Sequence, residues 1–419
     1  MSTTPKAAIL RPLVDLTNGA DPSPFQVANE VYAKGLQYEK PPLPYNTTEW
    51  ETQAHKVLSA NSWGYVSGNA GLGETDSNNR AAFRKWAFIP RRLTNQQQFP
   101  DLSVELFGKK YPYPIAVAPV GVQRIFNPDG EMLTAAAAEK ERVPYIMSSA
   151  SATSIEDVAT ANGGGQRWFQ LYWSGNQHDD VTASILSRAQ KSGYDVLMVT
   201  VDTFVVSWRP KDMDNGYSPF LRPDHVGVEI GLTDPVYRQQ FKEKTGKEVE
   251  EDLASAAINY AKIFIPGYPH SWEDLKFLRE HWNGPIVIKG IQSVDDAQKC
   301  VEAGMDGIVV SNHSGRQVDG GVGSLDVLPE IVDAVGDKLE IIFDSGVRCG
   351  ADIAKALALG AKMVLIGRPW VYGLALAGEQ GVRHVLRSLL GELDLTLHLT
   401  GVSGVQQSQL NRSWLRKTA

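Results

Sequence analysis

From about Tyr111 onward the chain alternates short apolar runs with longer amphipathic stretches. The runs are PIAVAPVG (114–121), PYIMSS (144–149), RWFQLYW (167–173), DVLMVTVD (195–202), PIVIKG (285–290), GIVVSNH (307–313), EIIFDSG (340–346) and KMVLIGRP (362–369). Most are rich in Val and Ile, and all are too short for helices, so they predict strands buried on both faces. Between them lie GEMLTAAAAEKE, SIEDVATAN, DVTASILSRAQKSG, SVDDAQKCVEAG, LDVLPEIVDAVGD and CGADIAKALALG. Several open near Ser or Asp and stop at Gly, the residues that cap helix starts and ends. Eight strand units, mostly with helices between them, predict the α/β class and a closed (β/α)8 TIM barrel. The competing dinucleotide-binding arrangement needs G-x-G-x-x-G directly after the first strand, and APVGVQRIF does not supply it.

One interval breaks the rhythm. Residues 203–284, after the fourth strand, hold SWRPKDMDNGYSPFLRPDHVGVEIGL and then a charged helical stretch. An insertion this long predicts a lid over the C-terminal mouth of the barrel. The charge run from Lys242 to Asp252 reads as a solvated helix face. The whole chain, 1–419, is then one domain: an N-terminal helical segment (1–110), the barrel (111–400) and the lid-like insertion (203–284).

Composition narrows the function classes. With 42% hydrophobic and 21% charged residues the chain has the make-up of a soluble globular protein. A net charge of −7 argues against a nucleic-acid partner. Two cysteines, Cys300 and Cys349, make no disulfide framework. No signal peptide, bilayer-spanning run or C-terminal SKL is visible, so the membrane is not an expected partner and the cytoplasm is the expected location.

The strand ends carry the chemistry. In order they present Pro119 with Val120 and Gly121, Ser148 with Ser149, Gln170 with Tyr172, Thr200 with Asp202, Lys289, Ser311 with His313 and Arg316, Asp344 with Arg348, and Gly367 with Arg368. Active sites of such barrels lie at these ends. Each residue alone has a bland reading as a satisfied polar group, but burying this many charges together without a ligand would be costly. Gly346, Gly350 and Gly367 with Arg348 and Arg368 follow strands seven and eight, where barrels commonly bind phosphate. Arg316 and Arg209 are forks suited to a substrate carboxylate. His313 with Asp202 is suited to general-base work. No metal-ligand spacing is evident.

The segment SNHSGRQ (311–317) resembles the S-N-H-G-[AG]-R-Q signature of the FMN-dependent L-2-hydroxy acid oxidase and dehydrogenase family. The similarity extends from SWGYVSGNAGLGETDSNNRAAFRKWAFIPRRL (62–93) to about Leu415, most of the chain. The resemblance implies FMN as cofactor, and an L-2-hydroxy acid and O2 as small-molecule partners. It makes His313 the base and Asp202 its partner, and it places the substrate carboxylate at Arg316 and Arg209. Tyr65 and Tyr172 supply hydroxyls, and Lys289 lies beside the flavin. Ala118, Pro119, Val120, Ser149, Gln170, Thr200, Ser311 and Asp344 would hold the flavin and its ribityl chain. Gly346, Arg348, Gly367 and Arg368 would take the phosphate. A homo-oligomer, commonly a tetramer in the family, is also implied.

There are departures from the pattern. Ser314 and Ser345 replace glycines of the family pattern, which at positive φ would cost about 1 kcal/mol each. Ala150 stands where glycolate oxidase has Trp, which leaves room for something bulkier than glycolate. The insertion resembles that of lactate 2-monooxygenase, which implies a lactate-like substrate and oxidative decarboxylation as an outcome. Two other readings stay open: a flavin-free lyase with Lys289 as Schiff-base nucleophile, and a catalytically silent binding barrel.

Overall fold

The computed structural model describes residue 24 and residues 26–94, 96, 98–220 and 226–418. The opening stretch read for a signal peptide, apart from residue 24, lies outside the described residues, as do 221–225 of the long interval and the final residue.

Each apolar run contributes one strand: β1 Ile115–Val117, β2 Tyr145–Ser148, β3 Arg167–Tyr172, β4 Leu197–Thr200, β5 Ile286–Ile291, β6 Gly307–Val310, β7 Glu340–Phe343 and β8 Met363–Ile366. Each pairs in parallel with the next, and β8 closes on β1 through Val364–Ile115 and Ile366–Val117. The result is a closed (β/α)8 barrel. Ile146, Trp168, Met198, Val287, Val309, Ile342 and Leu365 form one cluster. Their alternates, among them Met147, Phe169, Val199, Ile288, Ile308, Phe343 and Val364, pack with helix residues such as Leu186 and Leu325 in another. The first set therefore fills the barrel and the second faces the helices. Both are apolar, which is why the sequence shows runs rather than alternation.

The six amphipathic stretches give helices Gly130–Lys140, Ile155–Asn162, Asp179–Lys191, Val294–Glu302, Ser324–Val335 and Gly350–Ala358. Ser154 and Ser293 cap two of them by accepting from the Asp157 and Asp296 amides. A hairpin of Val104–Leu106 and Lys109–Tyr111 packs Tyr111 against Trp168 in the barrel interior, at the end opposite the mouth.

The interval 203–284 is not one lid. Its first part crosses the N-terminal segment, with Gly71 N donating to Trp208 O at 3.0 Å and Lys211 Nζ to Ser67 Oγ at 3.0 Å. The rest meets both the mouth, where Val226 packs with Val122 and Ala152 and the Phe264 ring lies 6.3 Å from that of Tyr172, and the helices around the barrel. Asp234, fully buried, caps helix Pro235–Thr245 and accepts from Ser184 Oγ (2.8 Å) and Arg188 (3.3 Å) of Asp179–Lys191. Helix Leu253–Phe264 follows, with Tyr260 and Phe264 buried. The buried Asp234–Arg188 contact and these aromatics anchor the helical part of the interval. The charge run is only partly helical: Gly246 ends the helix at φ 73°, and Lys247–Asp252 (2.9 Å) pairs across the following turn.

Candidate active site

The period of two that fills the barrel also selects what its mouth contains. Continuing each interior register toward the C-terminal end gives Ala118, Ser148, Gln170, Thr200, Lys289, Ser311, Asp344 and Gly367 after Ala116, Ile146, Trp168, Met198, Val287, Val309, Ile342 and Leu365. Several are joined by hydrogen bonds. Gln170 Oε1 accepts from Ser148 Oγ (3.0 Å) and its Nε2 donates to Thr200 Oγ1 (2.9 Å). Ser149 Oγ, on the other face, accepts from Tyr172 N at 2.7 Å. These groups form a polar floor beneath a cleft of about 830 Å³, open solvent included.

Lys289 rises from that floor. Its Nζ lies 3.2 Å from Ser311 Oγ, 3.6 Å from Asp344 Oδ2 and 3.7 Å from Asp202 Oδ2. Burial alone would lower its pKa, but Asp344 and Asp202 together raise it. Asp202 is the mirror case. Burial would raise its carboxyl, and His313 and Lys289 override that and hold it well below the usual carboxylate range. The register between β5 and β6 shifts at Lys289/Ile291, where Gly290 takes φ +112°. A Cβ at Gly290 would come within 2.8 Å of Asp202 Cβ, so the irregular strand is what admits Asp202 here.

Asp202 Oδ1 accepts from His313 Nδ1 at 2.7 Å and from Thr203 Oγ1 at 2.8 Å. Burial lowers the imidazole pKa, opposed by Asp202, so the ring favours its neutral form. With Nδ1 committed to Asp202, Nε2 carries the lone pair. His313 and Ser314 both sit at φ 55° and Ser345 at φ 83°. The two serines thus occupy the backbone region glycine favours. The Ser345 hydroxyl offsets its strain by donating to Asp344 Oδ1 (2.7 Å) and accepting from the amides of Asn312 (3.3 Å) and Ser314 (3.1 Å).

On one flank of the cleft, Arg316 Nη1 donates to the carbonyls of Tyr65 (2.5 Å) and Gly68 (2.8 Å), and its guanidinium lies 4.9 Å from the Tyr65 ring. Burial, with Arg209 close by, pulls Arg316 down to about 10. No carboxylate lies within ion-pair distance of it among the described residues. Tyr172 faces the same space, and burial, then Tyr65 and Asp202, push its hydroxyl well up. On the other flank, Arg348 donates to its neighbour's carbonyl, Val347 O (3.0 Å), and has no carboxylate partner among the described residues. Beside it Gly346 sits at φ +90°, and helix Arg368–Thr400 begins at Gly367 with no side-chain cap.

The cleft itself is lined by Tyr65, Ala118, Pro119, Val120, Tyr172, Lys289, His313, Arg316, Asp344, Gly346, Arg348, Gly367 and Arg368. Gln170, Thr200 and Ser311 lie beneath it, Ser149 sits on the opposite face of its strand end, and Asp202 stands behind His313. Arg209 opens instead onto an adjoining groove with Met213, Tyr217 and Phe220. Arg368 is largely spent on the N-terminal segment, donating to Val66 O (2.9 Å), Gly68 O (3.1 Å), Asn69 Oδ1 (2.6 Å) and Asp76 Oδ1 (3.2 Å). Ala150 does not line the cleft; its carbonyl lies under Gly121, where a Cβ would meet it at 2.4 Å. The lining also includes Val66, Phe126, Val347, Leu365 and Val371, apolar positions that carried no chemical signal in the sequence. Among the described residues no cluster of His, Cys, Asp or Glu is arranged for a metal ion. No helix among them is long and apolar enough to cross a membrane.

These features test the fit of a flavin mononucleotide. Arg348, lacking a carboxylate, beside Gly346 and an uncapped helix start calls for an anion such as a phosphate. The apolar edge formed by Ala118, Pro119, Val120 and Leu365 suits a planar ring, and the polar floor suits a hydroxylated chain. The residues present fit the group.

A family model described as FMN-dependent dehydrogenase matches residues 54–417. An FMN-dependent alpha-hydroxy acid dehydrogenase of Schizosaccharomyces pombe is 60% identical over 394 residues, 94% of this chain and 97% of that one. Human 2-hydroxyacid oxidase 1 is 39% identical, over 85% of this chain and 93% of its own. A crystal structure of mandelate oxidase matches with a TM-score of 0.75 at 34% identity, covering 87% of this chain and 96% of that one. Residues and relatives agree: the chain belongs to the FMN-dependent dehydrogenases that act on 2-hydroxy acids, and FMN is its cofactor.

Proposed function

We propose that the protein oxidises a lactate-like L-2-hydroxy acid to its 2-oxo acid with O2 as final acceptor, His313 serving as the base. The observation that carries this reading is the 2.7 Å His313–Asp202 contact in a cleft shared with Arg316 and Lys289. When bound, FMN supplies the two-electron acceptor. Gly346, Arg348, Gly367 and Arg368 would hold its phosphate, Asp344 and the floor residues its ribityl chain, and Ala118–Val120 its ring.

The protein's own steps are these. Arg316, which lines the cleft, binds the substrate carboxylate, joined by Arg209 once it turns in from the adjoining groove, and the Tyr65 and Tyr172 hydroxyls donate to its oxygens. His313 Nε2 then accepts the substrate proton, and Asp202 stabilises the imidazolium so formed. Lys289 keeps a fixed positive charge beneath the reacting centre. That charge weighs against the Schiff-base lyase, which needs a neutral amine: Asp344 and Asp202 hold the Lys289 proton on.

Anaerobic mixing with a panel of L-2-hydroxy acids tests the reading. Bleaching of the flavin absorbance by L-lactate or a near relative is expected, and a flavin that no hydroxy acid bleaches would favour the silent barrel. Under air, early release yields 2-oxo acid and H2O2. Retention of the oxo acid yields the acid one carbon shorter, CO2 and water, a difference set by product release. A homotetramer, by resemblance, completes the reading; light scattering of the purified protein tests its assembly.

A further inference from the structure

Gln317 ends the signature segment, and the reaction above gives it no task. Its amide is engaged at both ends. Nε2 donates to Asp202 O at 2.9 Å and to Val205 O at 3.1 Å. Oε1 accepts from Arg209 Nη2 at 2.7 Å. One side chain on the loop after β6 thus grips the loop after β4 at three places, two of which touch groups with roles above. One is the backbone of Asp202, which orients His313, and the other is the guanidinium of Arg209. The adjacent Arg316 carbonyl closes the same wrap, accepting from Ser207 Oγ and from Arg209 Nε at 3.1 Å. A glutamine suits this place because one planar group offers donors and an acceptor together; a Glu would lose the donors and a Lys the acceptor.

We propose that Gln317 is a positioning residue that couples carboxylate capture at Arg209 to the placement of the Asp202–His313 pair. The proposal rests on the roles given above to those three residues. A carboxylate that draws Arg209 inward draws on Oε1, and the same rigid amide holds the main chain from which the Asp202 side chain reaches His313. The two halves of the amide therefore act on different constants. The acceptor half governs substrate affinity through Arg209, and the donor half governs the rate at saturation through Asp202.

A double-mutant cycle on the FMN-loaded full chain reads this out, with anaerobic flavin reduction followed against substrate concentration. Gln317→Met alone should weaken substrate affinity about tenfold and slow reduction at saturation about tenfold, the scale of a lost hydrogen bond to a charged group. In an Arg209→Met background it should leave affinity unchanged and still slow reduction. A merely structural role would lower both constants alike in either background, and that outcome, or wild-type constants in Gln317→Met, overturns the proposal. If Gln317→Met fails to retain FMN, Gln317→Asn, the same amide one methylene shorter, replaces it in the cycle. His313→Gln measured in parallel separates the two levels. Near-normal reduction there removes the base assignment, whereas an inert His313→Gln beside an unaffected Gln317→Met removes Gln317 alone.

Discussion

Lys289 and Arg348 open onto the same cleft and are held in opposite ways. Lys289 has carboxylates on two sides, Asp202 and Asp344, within 3.7 Å. Arg348, like Arg316 on the far flank, bonds to backbone carbonyl oxygen and has no carboxylate within ion-pair distance among the described residues. The centre thus holds its cation and carboxylates together in the protein itself and supplies a fixed field. The flanks are incomplete, and their arginines match anions that arrive from outside, a phosphate at one end and a carboxylate at the other. A preset centre with receptive flanks lets ligands bind without disturbing the proton acceptor between them.

Removing the proton acceptor should have the largest effect. His313→Gln is expected to lower the rate of flavin reduction roughly 10²- to 10⁴-fold with FMN still bound; rapid mixing checks this, and near-normal turnover would take His313 out of its role.

Next is the centre's own completeness. Lys289→Met leaves two buried carboxylates without their cation and should cost about 3–5 kcal/mol in a urea titration at neutral pH. The pH dependence has a definite sign. Because Asp202 is held low in the folded state, its stabilisation is present above the ordinary carboxylate value of about 4 and is lost as pH falls through the folded one. Wild type should therefore keep its advantage across the neutral range and lose it only in strong acid. An equal unfolding midpoint for the two at pH 7 would mean the centre is not self-completing.

The flank should respond to a ligand rather than to folding. Arg348→Met is expected to weaken FMN about 10- to 100-fold while leaving riboflavin, which lacks the phosphate, nearly untouched. Equal losses for both, read by fluorescence titration, would remove the distinction between centre and flank. The smallest effect is on the pH profile. Burial keeps the His313 imidazole neutral, so the acid limb of kcat/KM should fall below the ordinary histidine value of about 6.5.

The barrel was legible because both faces of its strands are apolar, so RWFQLYW could be read directly and became Arg167–Tyr172. The polar ends followed from the same runs. What the runs did not show is how distant segments divide those residues. Arg368 and Arg348 look alike in sequence, yet Arg368 turns to Asn69 and Asp76 of the N-terminal segment. Val66 and Phe126 join the wall from segments whose neighbourhood only folding decides. Nor did the runs show that Asp234, a plain charged residue on paper, is buried against Arg188 and anchors a helix of the insertion. Thr203 gave no signal, and Gln317 stood in the signature without a role, because their work is to bond other functional groups, a relation that spacing does not encode.

The irregularity at Gly290 also bears on engineering. A randomised codon there should return only glycine from a selection for activity, since any side chain would displace the acid behind the imidazole. Attempts to retool this scaffold for new acids have little freedom in the fifth strand and far more in the segment that carries Met213, Tyr217 and Phe220.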